Sequence, residues 1–146
     1  MPFHFPLAAV LKYRESIEHR EHLALEKIHQ EITAAETQIA LVDSWRAAAI
    51  QQRAEELARG VPSIHLQGAY EHELALERYR DSLRGHLLEL RQKLRLLVRS
   101  YEVARQKREI LDEQRSRQFH AYTRERAKRQ QNLLDDLFLA RRKRAQ

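Results

Sequence analysis

Apolar residues recur at alternating steps of three and four along much of this 146-residue chain. Leu25, Ile28, Ile32, Ala35, Ile39 and Val42 keep this rhythm without a break. Leu76, Leu83, Leu87, Leu90, Leu94, Leu97, Tyr101, Ala104 and Leu111 keep it in the second half, with Arg80 and Arg108 standing at two of its positions. A sustained three-four spacing marks the seam of a coiled coil, not the alternation of a strand. Each helix alone would leave its apolar stripe in water, and a short link lets two stripes bury one another. The pattern predicts an all-α chain of two long helices forming an antiparallel coiled-coil hairpin.

The turn formers say where it folds. Gly60, Pro62, Ser63 and Gly68 lie within nine residues of one another, while Pro2 and Pro6 stand at the start. Pro6 suits a first helical turn, where its missing N–H is no loss. Gly60 suits the left-handed position that ends a helix, and Ser63 an N-cap. The spacing therefore predicts helix 1 over about residues 6–59, a turn at 60–63 and helix 2 over about 64–140, all in one domain spanning 1–146. At 1.5 Å per residue the helices would run roughly 80 and 110 Å. The start of helix 1 would then meet helix 2 near residue 117, leaving an overhang from about residue 118.

Composition narrows this further. Three Gly, three Pro and no Cys leave little material for a turn-rich fold and none for a disulfide or thiolate site. The pI near 9.9 suggests nucleic acid, and the distribution of charge tests that idea. From Arg105 to Arg144 there are 13 basic and 6 acidic residues, a net of +7; the first 104 residues hold 14 basic and 15 acidic, a net of −1. All the excess positive charge belongs to the overhang and the turns just before it. The chain has no apolar run of membrane-spanning length, and Met1-Pro2-Phe3-His4 lacks the basic start of a secretory signal, so a cytosolic protein is expected.

No catalytic constellation emerges. The three glycines precede Val, Ala and His, so there is no P-loop. His19 and His22 with Glu18, Glu21 and Glu26 do not have zincin spacing, and read as solvated groups on a charged helix face, as do His65 and His72. Asp135 and Asp136 are adjacent, so on a helix they point apart. The expectation is a protein without catalytic, cofactor-binding or metal-binding residues.

Two surfaces suggest partners. Leu133, Leu134, Leu137 and Phe138 form an apolar patch in a segment with nothing left to pack against. It lies beside Arg124, Arg126, Lys128 and Arg129, with Arg141, Arg142, Lys143 and Arg144 beyond. Phosphate binding is one use for such a run and a solvated face another, but few aromatics are present to stack bases. A contact surface for an acidic protein socket is preferred. Near the turn, Leu66, Tyr70, Leu74, Leu76 and Tyr79 exceed what one seam requires, with Tyr70 and Leu74 one turn apart on another face.

Three stretches resemble the FliJ family of the bacterial flagellar type III export apparatus. Phe3-His4-Phe5-Pro6-Leu7-Ala8-Ala9-Val10-Leu11-Lys12-Tyr13-Arg14-Glu15 is similar to the family's opening F-x-F-P-L-x-x-(L/V)-L-x-x-R-E. Lys107-Arg108-Glu109-Ile110-Leu111-Asp112-Glu113-Gln114-Arg115 resembles its K-x-x-E-x-L-x-E-x-R segment. Gln130-Gln131-Asn132-Leu133-Leu134-Asp135-Asp136-Leu137 resembles its closing E-Q-K-x-L-D-E-L, with Asn132 and Asp136 as departures.

The resemblance implies an antiparallel coiled coil similar to the central stalk of rotary ATPases. It implies a non-enzymatic protein that inserts its terminal end into the hexameric export ATPase and promotes hexamer assembly. It also implies contact with the cytoplasmic domain of the export gate and escort of export chaperones. Carried over, Phe3, Phe5, Leu7, Arg124, Arg126, Lys128, Arg129, Leu133, Leu134, Leu137 and Phe138 would face the ATPase. Tyr70 and Leu74 would face the gate, with Glu73 standing where the family often has an apolar residue. Membrane association would come only through these partners, at the cytoplasmic face of the inner membrane, and nucleic acid is not an expected partner. The equivalent stalk of a virulence-type secretion system, or a basic coiled coil binding nucleic acid or anionic membrane, are the alternatives.

Overall fold

The computed structural model describes residues 2–60 and 62–145, without the side chain of Ser63. Among these residues there are two helices, α1 (Ala8–Arg59) and α2 (Ser63–Ala145), packed against each other, and no strand. α1 starts slightly later than the spacing predicts. Pro6 and Leu7 form a turn, in which the Ala8 N–H donates to the Phe5 carbonyl at 3.1 Å. At the other end the Gly60 N–H donates to the Leu57 carbonyl at 3.3 Å, with Gly60 at φ 75°. α2 begins at Ser63, and the His65 N–H donates to the Pro62 carbonyl at 3.1 Å. The N-cap role expected of the Ser63 side chain lies outside the described residues. α2 passes residue 140 and reaches Ala145, since nothing after Gly85 is a helix breaker.

Two glycines make opposite demands. A Cβ at Gly60 would meet no atom within 4 Å, yet its left-handed backbone penalises any L side chain, so Gly60→Ala should cost about 1 kcal/mol. Gly85 sits inside α2 with the same open space and no positive φ, so Gly85→Ala should stabilise by about 1 kcal/mol. Denaturant midpoints of the two variants should move in opposite directions.

Burial follows the three-four rhythm with the seam positions of the heptad, a and d. In α1 every third or fourth residue from Leu11 to Glu56 is buried or half-buried; in α2 the same holds from Leu66 to Tyr122, apart from the exposed Arg115. The contacts divide into two compact units.

In the unit running from Glu21 to Tyr101, Ile28, Ile32 and Ala35 of α1 pack with Leu87 and Leu90 of α2, and Leu25, Ile39, Leu94 and Leu97 flank them. Val42 is completely buried. Two arginines of the seam are paired across the helices. Arg80 Nε lies 2.7 Å from Asp43 Oδ1, and Arg53 Nη1 donates to Glu73 Oε2 at 2.7 Å. Such a pair is worth little where water reaches it, but it suppresses registers that would bring like charges together.

The other unit joins the residues up to Arg20 with those from Glu102 onward. Phe5, Leu11 and Ala104 are its buried apolar groups. Arg108 Nε donates to Glu18 Oε2 at 2.6 Å, its Nη2 to Glu18 Oε1 at 3.1 Å, and its Nη1 to Asp112 Oδ2 at 2.8 Å. This two-pronged grip by the Arg108 guanidinium holds the Glu18 carboxyl below its ordinary pKa, and both carboxylates raise that of Arg108.

Candidate functional site

The aromatic residues of the N-terminal segment turn inward. Phe3 meets Phe119 edge-on at 5.3 Å between ring centroids and Tyr122 at 5.6 Å. Phe5 is 4% exposed, and Phe3 and Leu7 are half-buried. Phe5 therefore packs the segment onto the helices and leaves Phe3 and Leu7 the more accessible of the three. This clasp extends the paired part of α2 to Tyr122, a little past the point that helix lengths alone suggest.

Beyond it the helix surface changes. All residues from 123 to 145 are exposed. Continuing the heptad past Tyr122 puts Glu125, Arg129, Asn132 and Asp136 at seam positions, so the seam loses its apolar character. The mean direction of Leu133, Leu134, Leu137 and Phe138 lies roughly 140° from that line at about 100° per residue. The patch is thus a separate surface, not an unfinished piece of the intramolecular seam. Around it, Arg124, Arg126, Lys128 and Arg129 are exposed, Arg129 Nε standing 3.7 Å from Glu125 Oε1. Gln131 Nε2 donates to Asp135 Oδ1 at 3.1 Å. The end of α2 thus combines an exposed apolar patch with a basic rim.

At the other end of the helices, Tyr70 is exposed and Leu74 half-buried. The heptad puts them at e and b, on the flank where Ile50 and Leu57 of α1 also occupy e positions and are exposed. Ile50 and Leu57 escape a reading of helix 2 alone, and only the pairing of e with e across an antiparallel seam brings them to this flank. The opposite flank carries Trp45, Leu41 and Tyr79, all exposed, with Gln38 Nε2 donating to the Tyr79 hydroxyl at 3.5 Å. Trp45 is the chain's sole tryptophan, a signal available in the sequence.

The histidines do not converge. His22 Nε2 pairs with Glu26 Oε1 at 3.0 Å on adjacent turns, and its ring lies 6.1 Å from that of Tyr101. Glu18 is instead drawn into the Arg108 pair. Among the described residues no three His, Asp or Glu side chains form a metal-ligand set, and no helix is long and apolar enough to cross a membrane.

Comparison with known proteins decides the family. The model described as Flagellar FliJ protein matches residues 3–146. The chain belongs to the FliJ family. It is accordingly a component of the flagellar export apparatus, in a family without enzymatic activity. Searches of curated proteins and of solved structures find no match. The match covers both surfaces described above, the α2 end from Arg124 to Phe138 and the turn-proximal flank around Tyr70 and Leu74.

Proposed function

We propose that this FliJ-family protein is a stalk and adaptor, inserting the end of α2 into the export ATPase hexamer and promoting its assembly. The observation that carries this reading is the patch of Leu133, Leu134, Leu137 and Phe138, each more than half exposed, on a helix segment whose every described residue faces solvent. Four large apolar groups held on a rigid helix are a binding surface in search of a hydrophobic socket. Arg124, Arg126, Lys128 and Arg129 supply the charge that orients entry. Phe3 stiffens the base of this segment through Phe119 and Tyr122, and the half-buried Leu7 stands beside this end of the stalk. Tyr70 and Leu74, backed by Leu57 and Ile50, form the surface offered to the cytoplasmic domain of the export gate. Escort of export chaperones completes the adaptor role, at the cytoplasmic face of the inner membrane.

The test is the ATPase activity and hexamer formation of the flagellar export ATPase with and without this protein. Both should rise when it is added; if neither changes, the stalk reading is lost. Salt separates this from a phosphate-binding role. Binding through apolar side chains should persist from low to moderate salt, whereas a site built on phosphate contacts would lose affinity by orders of magnitude.

A further inference from the structure

In the unit that joins the residues up to Arg20 with those from Glu102 onward, the two flanks of the helix pair are unlike each other. On one, the e and b rows carry Glu15, Glu102, Glu109 and Asp112 among their residues, and two of these are matched by base: Arg105 Nε donates to Glu109 Oε1 at 2.9 Å and Arg108 to Asp112 at 2.8 Å. The N-terminal segment also lies on this side, where Phe3, His4 and Phe5 share a cleft with Ala8, Lys12 and Glu15.

The g and c rows make the other flank. Val10 and Ile17 of α1 lie one heptad apart at g, with Tyr13 at c between them; Val103 and Ile110 of α2 lie one heptad apart at c. Tyr13 is 60% exposed and Ile110 63%, and Val10 and Val103 are exposed as well. As far as Lys128 the charged residues of these rows are all basic: Arg20, Lys107, Arg117, Arg124 and Lys128. The acid paired with one of them is Glu113 on the neighbouring row, 3.9 Å from Arg117. The first Asp or Glu in the g or c rows of this unit is Asp135, seven residues beyond Lys128.

We infer that this flank docks an acidic amphipathic helix of another protein, laid alongside α1 and α2 as a third strand of the coil. The spacing is what such a helix needs. Val10 and Ile17, like Val103 and Ile110, repeat at seven residues, so the two rows present apolar knobs at the heptad interval. Lys107 stands in sequence between Val103 and Ile110, on the adjoining g row. A guest with apolar residues at its own a and d positions and Asp or Glu beside them would bury the knobs and neutralise the bases together. The flank of the e and b rows suits an acidic guest less well, because carboxylates stand along it at Glu15, Glu102, Glu109 and Asp112. A lipid surface fits less well: interfacial helices insert large Trp, Phe or Leu side chains, whereas this flank presents Val, Ile and a single Tyr in an interrupted stripe. The apolar knobs of this site are separate from Leu133, Leu134, Leu137 and Phe138, although Arg124 and Lys128 border both, so the two readings are tested by different variants.

The test uses the full chain and a fluorescent four-heptad peptide with Leu at a and d and Glu at e and g. A second peptide carries Lys in place of Glu. Anisotropy should show saturable binding of the Glu peptide and none of the Lys peptide. Ile110→Glu and Val103→Glu should each weaken it roughly tenfold or more, by putting an unpaired charge into the apolar contact. Both positions are exposed, so circular dichroism and melting should match the parent. Leu134→Asp should leave peptide binding unchanged. Equal binding of the two peptides, no loss in Ile110→Glu, or a loss confined to Leu134→Asp would each overturn the proposal. So would sedimentation with phosphatidylglycerol vesicles that Ile110→Glu abolishes while peptide binding stays intact.

Discussion

A chain carrying Leu134→Asp together with Leu137→Asp should remain folded and fail to stimulate the export ATPase. The two leucines are 61% and 55% exposed, so the folded chain gains little from them and its melting temperature should hold. In a socket the balance reverses. Fully burying one leucine is worth about 1.5–3 kcal/mol, so losing two removes roughly 3 kcal/mol or more, about a hundredfold in affinity. Two carboxylates entering the same socket add a desolvation cost and meet the acidic walls that the basic rim implies. The measurement is ATPase stimulation as a function of added protein. Stimulation at parental concentrations would remove the α2 patch from the mechanism.

Arg108→Ala should be the most damaging single change in the charged seam. The Glu18 and Arg108 side chains are 17% and 25% exposed, intermediate between a surface pair worth about 0–1 kcal/mol and a buried one whose breakage costs about 3–5 kcal/mol. A loss of about 2 kcal/mol is expected, lowering the melting temperature by roughly 6 °C. Most of it comes from stranding the Glu18 carboxylate, so pairing Arg108→Met with Glu18→Leu should recover much of the stability.

Acidification supplies a second reading. Arg108 lowers the Glu18 pKa below its ordinary 4.5, so folding favours the ionised form. That contribution is present above the unfolded-state value and is lost as pH falls through the folded one. The parent should therefore lose stability below about pH 4.5. In Arg108→Ala the stranded carboxylate is relieved by protonation, so the gap between the two proteins should close as pH falls. A gap independent of pH between 7 and 3 would assign the loss to packing of the Arg108 stem instead.

Residues that belong to one helix were legible from their spacing. Ile28, Ile32 and Ala35 against Leu87 and Leu90 follow from two three-four patterns and one break, and Gly60 marks the break because few other residues accept a positive φ. The α2 patch was legible too, because four large apolar residues stand among charges. Phe5 was not. The structure buries it, since the short segment ahead of α1 has enough reach to fold back on the helices.

The sequence by itself determined two long helices, the place where they part, the apolar seam on each, the concentration of positive charge toward the C-terminus and the kinship with the FliJ family. These are properties of neighbours three, four or seven residues apart, and helix geometry turns such intervals directly into faces. Only the tertiary structure decided that Arg108 meets Glu18, that Arg80 meets Asp43, and that Arg53 meets Glu73. It alone sorted the flanks into one lined with carboxylates and one that is apolar and basic. Those outcomes depend on register between residues up to ninety positions apart. Register is a property of the pair of helices, set by the turn and by packing layer on layer, so neither helix carries it alone.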